Sequence, residues 1–346
     1  MKKKRKVWTI IAASLASVIL AIGSSYIYVY KKYMSPFFNV KQTVYVYVND
    51  NKDYNDLLSQ LQSVAHIKDV NIFDKIAGTM KYPDNMRTGR YAVTPDMTCK
   101  QLLQNLRNGN QAPSRITFNN IRLKEDLAKR ISEQLMFSEG ELYQQLNDSA
   151  VCAQFGFDTN TILCMFIPNT YEMYWNIPVE KFIKKMKSEY DKFWTPERIE
   201  KAQEIPLTPI QVSIVASIVE EETAANSEFS TVAGLYINRL KRGMLLQADP
   251  TVKYAVGDFS LKRILFVHLE KDSPYNTYKY AGLPPGPIRI PSIRGIDAVL
   301  NHAQHNYIYM CAKEDFSGKH NFATTLSEHN TNAAKYQAAL NRNKIK

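Results

Sequence analysis

The sequence predicts an α+β protein with an N-terminal transmembrane helix, a small α/β module and a larger mixed α+β domain. Three observations lead to this fold class. Residues 7–30 carry no charge and are long enough to cross a bilayer as a helix. Residues 43–112 alternate between strand-type and helix-type patterns. Residues 113–346 show mainly helical patterns with isolated strands, and the segment is long enough to bury a large core.

The N-terminal segment predicts a retained membrane anchor. Residues 1–6 form a basic tail, and aromatic residues stand at both ends of the apolar stretch 7–30, as in a membrane-interface belt. The alternative is a cleaved signal peptide, but the apolar run is long for one and lacks a clear small-residue cleavage site. The positive-inside rule predicts a cytoplasmic N-terminus, with everything after Lys31 on the outer side.

After a linker at residues 31–42, the small module is expected to span residues 43–112. Alternating β-branched and aromatic residues predict a strand at 43–48, and a second strand is predicted at 89–93. Helices are predicted at 56–65 and 70–80. Thr98 begins a third helix, which Gly109 ends.

The larger domain is predicted to begin at residue 113, after a Pro-Ser junction. A strand is expected at 115–118, another at 306–312, and an irregular loop rich in Pro, Gly and Tyr at 273–293. The predicted helices lie at 123–135, 139–146, 180–194, 196–203, 208–226, 231–241, 296–302 and 325–341.

Charge and cysteine usage restrict the possible functions. The formal net charge is +11, of which residues 2–6 supply five, so the rest of the chain has only a mild basic excess. Such an excess suits a neighbouring anionic lipid or polymer, and it does not predict a nucleic-acid partner. No CxxC pair, histidine spacing, P-loop or GxGxxG motif indicates a metal or a cofactor. The four cysteines are expected to be small buried thiols: Cys99, Cys152, Cys164 and Cys311.

The predicted helix 208–226 ends in three consecutive glutamates. Thr208 and Pro209 suit its first positions, residues 212–219 are apolar or small, and residues 220–222 are all Glu. Such a charge cluster is often simply solvated. A carboxylic acid against an apolar wall, however, has the raised pKa that sugar cleavage needs. The helical period places Glu222 on the apolar arc and Glu220 among small residues, and it does not decide between them.

Several motifs farther along the chain occur in a fixed order and together resemble one family. Their loops are rich in Tyr and Asn, which suit carbohydrate by stacking and hydrogen bonding. The motifs are GRY (89–91), FIPNTYEM (166–173), ASIVEEET (216–223), GLYINRLKRGMLLQADPTVKYAVG (234–257), SPYNTY (273–278), GLPPGPI (282–288) and SEHN (327–330). This order is similar to that of the MltG-type (YceG-like) endolytic murein transglycosylases, and the likeness covers almost the whole chain.

The resemblance implies a single-pass protein of the bacterial inner membrane that faces the cell wall. It implies a LysM-like module at 43–112 and a YceG-like catalytic domain at 113–346. Such enzymes cut peptidoglycan strands between MurNAc and GlcNAc without water, leave 1,6-anhydro ends and need no cofactor. Ending nascent strands in this way would make the peptidoglycan synthases of the membrane natural partners.

The resemblance also implies the site. The first acid of the family's glutamate motif is taken as catalytic, which is Glu220 here, while the roles of Glu221 and Glu222 stay open. The substrate-binding residues implied by the other motifs are Gln247, Asp249, Asn276 and Asn330. The chain departs from the family pattern at 289–292 and 318–320, which affects how the glycan is gripped near Ser292 and Lys319. The alternative is a non-catalytic peptidoglycan-binding scaffold of the wall-synthesis machinery.

Overall fold

The computed structural model describes residues 2–261 and 263–343, and it divides the chain into two compact units. The first contains the chain up to Arg115 together with Glu172–Ile177. The second contains Ile116–Tyr171 and the chain from Pro178 onward. The order of strands and helices confirms a mixed α+β protein with an N-terminal apolar helix.

The N-terminal helix of the first unit is a candidate membrane span. Helix α1 runs over Lys2–Met34, and its part Trp8–Tyr28 has a mean hydropathy of 2.0 with none of its length buried in the protein. A fully exposed helix of this composition would be unstable in water, whereas lipid suits it.

The rest of the first unit packs helices on one face of a two-stranded antiparallel sheet. Strand β1 (Val44–Val48) pairs with β2 (Gly89–Val93) so that Val46 faces Tyr91. Because side chains alternate along a strand, the inward face can be apolar throughout, and Val46, Val48, Tyr91 and Val93 are buried. Helices α2, α3 and α4 cover that face: Tyr54–Ser63, Val70–Thr79 and Cys99–Asn108.

Most predicted elements of this unit are confirmed within a few residues. The Thr98 hydroxyl accepts a hydrogen bond from the Gln101 N–H at the start of α4. Gly109 ends α4 in the left-handed conformation that favours glycine, at φ 74°. The segment Glu172–Ile177 joins the unit through local contacts that the sequence did not predict. Trp175 stacks edge-on against Tyr47 at 4.9 Å, and the Asn176 amide donates to the Thr88 carbonyl oxygen at 3.0 Å.

The second unit is mainly helical, with one short strand pair within it. Strands β3 (Ser114–Thr117) and β4 (Thr170–Met173) form another pair, at the two places where the chain passes from one unit to the other. Strands β5 (Tyr309–Ala312) and β6 (His320–Ala323) form an antiparallel pair that α15 covers. The helices are α5 Lys124–Ser132, α6 Glu139–Asn147, α7 Ser149–Gln154, α8 Val179–Phe193, α9 Pro196–Glu204, α10 Pro209–Glu222, α11 Phe229–Lys241, α12 Asp249–Val256, α13 Phe266–Leu269, α14 Ile293–Leu300 and α15 Leu326–Arg342.

Helix α10 lies at the centre of the second unit. The Thr208 hydroxyl accepts from the Gln211 N–H, and the Gln211 side chain accepts from the Thr208 N–H in return, so the helix begins with a reciprocal cap. Residues 212–219 are all buried, as expected of a helix that is apolar on every side. It packs against α11, α12 and α14. It ends at Glu222, earlier than the predicted residue 226.

Two strands and three helices were not predicted: β4, β6, α7, α12 and α13. All five are short, so their local patterns carry little information. The cysteines form no disulfide; Cys99, Cys152 and Cys164 are buried, as expected, while Cys311 is half-buried.

Candidate active site

The three glutamates at the end of α10 lie in three different environments. Successive residues of a helix point about 100° apart, so adjacent side chains face different neighbours. The Glu220 carboxylate accepts from the Ser292 N–H at 2.9 Å and from the Ser292 hydroxyl. Its other oxygen lies 3.5 Å from Nε of Arg289, and the side chain is only 6% exposed. Glu220 is therefore held among hydrogen-bond donors beside the residue that precedes α14.

Gly295 explains how closely Glu220 approaches α14. A Cβ atom at this position would collide with the Glu220 carboxylate. Glycine here therefore allows close packing with the Glu220 side chain and does not serve an unusual backbone angle.

Glu221 is paired with two arginines. Its Oε2 lies 2.5 Å from Nη2 of Arg122, and its Oε1 accepts from Nη1 of Arg289 at 2.8 Å. Arg289 also donates to the Asn120 side-chain oxygen at 2.6 Å, and Arg122 lies over the Phe259 ring at 4.6 Å. This network ties the end of α10 to three other segments of the second unit.

Glu222 faces a cavity, and no cationic side chain of the described residues donates a hydrogen bond to it. Its Oε2 is buried and has no hydrogen-bond partner within the described part of the chain. Burial raises the pKa of Glu222 to about 7, and the negative charge of Asp249 contributes to the rise. The Tyr236 hydroxyl and the Arg239 guanidinium act in the opposite direction. Glu222 can therefore both hold and release a proton near neutral pH.

The cavity has a volume of about 740 Å³, within the range of ligand-binding clefts. It is bordered by the end of α10, helix α12, the segment before α13, strand β5 and helix α15. The polar residues that line it are Glu221, Glu222, Asp249, Lys253, Arg263, Tyr336 and Gln337. The apolar ones are Pro250, Leu261, Ile264, Ala312 and Leu340. Glu220 does not belong to this lining.

Arg239 is a buried arginine whose charge acts on Glu222. Its side chain is buried, and it donates to the carbonyl oxygens of Ile308 at 2.6 Å and Leu246 at 2.8 Å. It also contacts the Gln247 side-chain oxygen at 3.4 Å. A buried arginine with several acceptors fixes the chain on both sides of it.

The four predicted binding residues fall into different places. Asp249 lines the cavity and accepts from the Tyr278 hydroxyl at 2.6 Å. Gln247 is exposed next to it, in the left-handed region at φ 49°, with its N–H donating to the Thr277 carbonyl oxygen at 3.1 Å. Asp249 thus shares the cavity wall with Glu222, whereas Gln247 is not among the lining residues.

Asn276 and Asn330 are placed differently. Asn276 is fully buried, and its amide donates to the carbonyl oxygens of Leu269 and Lys271, both at 2.8 Å. It therefore holds the loop before Tyr278, and its geometry favours a positioning role. Asn330 is exposed on α15, one of the cavity's walls, but it is not among the lining residues. Substrate contact by either residue stays a prediction.

Sequence reasoning missed several lining residues. Lys253 lies one helical turn after Asp249 on α12, a spacing that places two side chains on one face and could have indicated it. Tyr336, Gln337 and Leu340 also share one face of α15, but nothing local shows that this face meets α10. Among the described residues, no cluster of three or more His, Cys, Asp or Glu side chains could hold a metal ion.

Comparison with known proteins agrees with this architecture. The YceG-like family profile matches residues 46–335, so the chain belongs to the YceG-like family. The chain is 28% identical to an endolytic murein transglycosylase of Bacillus subtilis over 93% of its own length and 92% of that protein. It is 25% identical to an endolytic murein transglycosylase of Streptococcus pneumoniae, covering 86% of this chain but 59% of that one. The crystal structure of a YceG-like protein from Listeria monocytogenes superposes with a TM-score of 0.55 at 26% identity, covering 84% of this chain and 99% of that one.

Proposed function

We propose that this protein is an endolytic murein transglycosylase, which cuts peptidoglycan strands internally without water and leaves 1,6-anhydro ends. Its relatives with that name support the activity. The observation that carries the proposal is the Glu222 carboxyl group. It lines a cavity of about 740 Å³ and has its pKa raised to about 7 by burial. A carboxylic acid in this state suits proton transfer at a glycosidic bond.

The reaction needs one carboxyl group that acts twice. In its protonated form it donates its proton to the leaving O4 oxygen as the C1–O4 bond breaks, and positive charge develops at C1. The resulting carboxylate then accepts the proton of the same sugar's C6 hydroxyl group, whose oxygen attacks C1 and closes the anhydro ring. The proton returns to the carboxyl group, so no water is consumed and no second catalytic acid is needed.

The geometry favours Glu222 for this role, whereas the family resemblance predicts Glu220. Glu220 accepts two hydrogen bonds from Ser292, lies beside Arg289 and is not part of the cavity lining. Glu222 lines the cavity and has a buried oxygen free of hydrogen bonds. We therefore assign the proton transfer to Glu222 and retain Glu220 as the alternative, with Asp249 and Gln247 proposed as substrate contacts.

The test compares two isosteric variants of the full chain in detergent or nanodiscs. Purified peptidoglycan is incubated with wild type, Glu222→Gln and Glu220→Gln, and anhydro-ended products are quantified by mass spectrometry. The proposal expects Glu222→Gln to lose product by at least about a hundredfold, as for removal of a general acid. Full loss in Glu220→Gln with an active Glu222→Gln would transfer the role to Glu220. No anhydro product from wild type would favour the wall-binding scaffold.

The placement of the enzyme is part of the proposal. The apolar span Trp8–Tyr28 supports a single-pass membrane anchor. The basic residues before it favour a cytoplasmic N-terminus in the inner membrane, so that the chain after Lys31 faces the wall. Residues 43–112 are proposed as a LysM-like wall-binding module, and membrane peptidoglycan synthases as partners. A reporter enzyme fused at the C-terminus, which must be active only outside the cytoplasm, tests the orientation.

A further inference from the structure

The cavity beside Glu222 contains two basic side chains without an acidic partner. Lys253 on α12 and Arg263 before α13 both line it. Neither forms an ion pair within the described residues, although the second unit contains several such pairs elsewhere. Lys253 is half-buried, so its charge acts in a partly dehydrated setting.

Three acids that share the cavity or act on Lys253 have other hydrogen-bond or ion-pair partners. Asp249, one turn before Lys253, accepts a hydrogen bond from the Tyr278 hydroxyl at 2.6 Å. Asp258 feels the charge of Lys253, but its carboxylate accepts from the Ser260 N–H at 2.9 Å and the Ser260 hydroxyl at 2.6 Å. Glu221 is held by two arginines outside the lining. Lys253 and Arg263 thus remain available to a ligand.

The charge balance of the lining favours an anion. Glu221 is offset by its own arginine partners, and Glu222 is neutral while it holds the proton it is to donate. Asp249 then contributes one negative charge against the two positive charges of Lys253 and Arg263. A ligand with one carboxylate would bring the net charge of the lining to zero. A neutral sugar would leave Lys253 and Arg263 without an anionic partner.

We propose that Lys253 and Arg263 form a subsite that binds a carboxylate carried by the glycan strand, so that the acidic end of the cavity receives the sugar bond while the basic wall fixes its substituent. This inference rests on the proposed function for the identity of the polymer. Peptidoglycan can offer such a carboxylate from two sources: the peptide stem, or the lactyl group of a muramic acid whose stem has been removed. The shared chemistry is a carboxylate beside the scissile sugar.

Three strand preparations separate these sources. The first keeps its peptide stems, and the second is stripped by an amidase, which frees the lactyl carboxylates. In the third, those carboxylates are converted to neutral amides with carbodiimide and ammonia. Dissociation constants are measured with full-length Glu222→Gln in nanodiscs, where no cleavage is expected, and KM is measured with the wild type.

We expect at least one carboxylate-bearing strand to bind about tenfold more tightly than the amidated strand. Added salt should reduce this preference, because it screens the charges. Preference for the first preparation alone identifies the stem, and preference for the second identifies the lactyl group. In the double variant Lys253→Gln/Arg263→Gln the ratio of the dissociation constants falls to near one. The control Arg130→Gln/Lys192→Gln removes two exposed cations of the same unit outside the lining and keeps the ratio.

Equal binding of all three strands by the parent protein overturns the subsite, and so does a double variant that keeps the full preference. These binding results do not depend on cleavage. Absence of anhydro products from the wild type would instead count against the proposed activity, so the two proposals can fail separately.

Discussion

Replacing Glu222 with glutamine should make the second unit more stable at high pH but not at low pH. In the folded protein, burial raises the pKa of Glu222 from 4.5 to about 7. The fold therefore favours protonated Glu222. Its contribution to the free energy of unfolding is fully present below pH 4.5 and is lost as the pH rises through 7. Above that range the fold contains a poorly solvated charge. Glutamine has nearly the same shape and never carries that charge.

The size of the effect follows from the difference between the two pKa values. Each pKa unit corresponds to about 1.4 kcal/mol, so the penalty well above pH 7 is roughly 3 kcal/mol. Glu222→Gln should recover most of that free energy of unfolding at pH 9 and almost none at pH 4. For a unit of this size, 1 kcal/mol changes the melting temperature by roughly 2–4 °C, so we expect a gain of about 6–12 °C at pH 9.

The assay is thermal unfolding of the full chain in detergent at pH 4, 7 and 9, followed by tryptophan fluorescence. Glu220→Gln is the matched control. It makes the same substitution two residues earlier on the helix, where it removes a carboxylate that Ser292 and Arg289 stabilise. That variant should be less stable than the wild type at pH 9, by roughly 1–2 kcal/mol. An equal change in Glu222→Gln at pH 4 and pH 9, or a loss at pH 9, would refute the environment inferred for Glu222.

Three further predictions concern neighbouring residues. Asp249→Asn removes a charge that raises the pKa of Glu222, so the decline of activity with rising pH should begin at lower pH, as measured by a pH–rate profile. Arg239→Ala leaves the carbonyl oxygens of Ile308 and Leu246 without their buried donor. It should lower the free energy of unfolding by about 3 kcal/mol or more. The control Arg242→Ala removes an exposed arginine and should lower it by less than about 0.5 kcal/mol. Gly295→Ala drives a Cβ atom into the Glu220 carboxylate and should destabilise the protein by roughly 1–3 kcal/mol in urea unfolding. In the control Gly140→Ala the new Cβ atom meets no neighbouring atom within 4 Å, so the change should be neutral or slightly stabilising. Equal effects of the two alanine substitutions in either pair would contradict the contacts described.

Local signals explain why much of the fold could be predicted. The caps of α4 and α10 depend on residues within one turn of each helix end, namely Thr98, Gly109 and Thr208. The β1 strand alternates buried and half-buried residues, which its sequence shows directly. Strands β4 and β6 have only four residues each, so pairing with a distant partner decides them rather than their own pattern.

The site could be predicted only in part, because its walls come from distant segments. The helical period placed Glu222 on the apolar arc of α10, which agrees with its buried oxygen. No local pattern shows that α15 and the segment before α13 close a cavity around it, nor that Ser292 reaches Glu220. Those contacts join residues about 40 or more positions apart, for which a single sequence offers no periodicity to read.

The three glutamates show why one helix end can hold acids with different tasks. Arg122 and Arg289 together supply two positive charges beside Glu220 and Glu221, which offset the negative charges of these two carboxylates. Without that compensation, two further negative charges would act on Glu222 through a poorly solvated region and hold its proton too firmly to be given up. With it, Glu222 responds mainly to its own burial and to Asp249, which keeps its pKa near neutrality. The paired acids therefore set the electrostatic background in which the unpaired acid can exchange a proton.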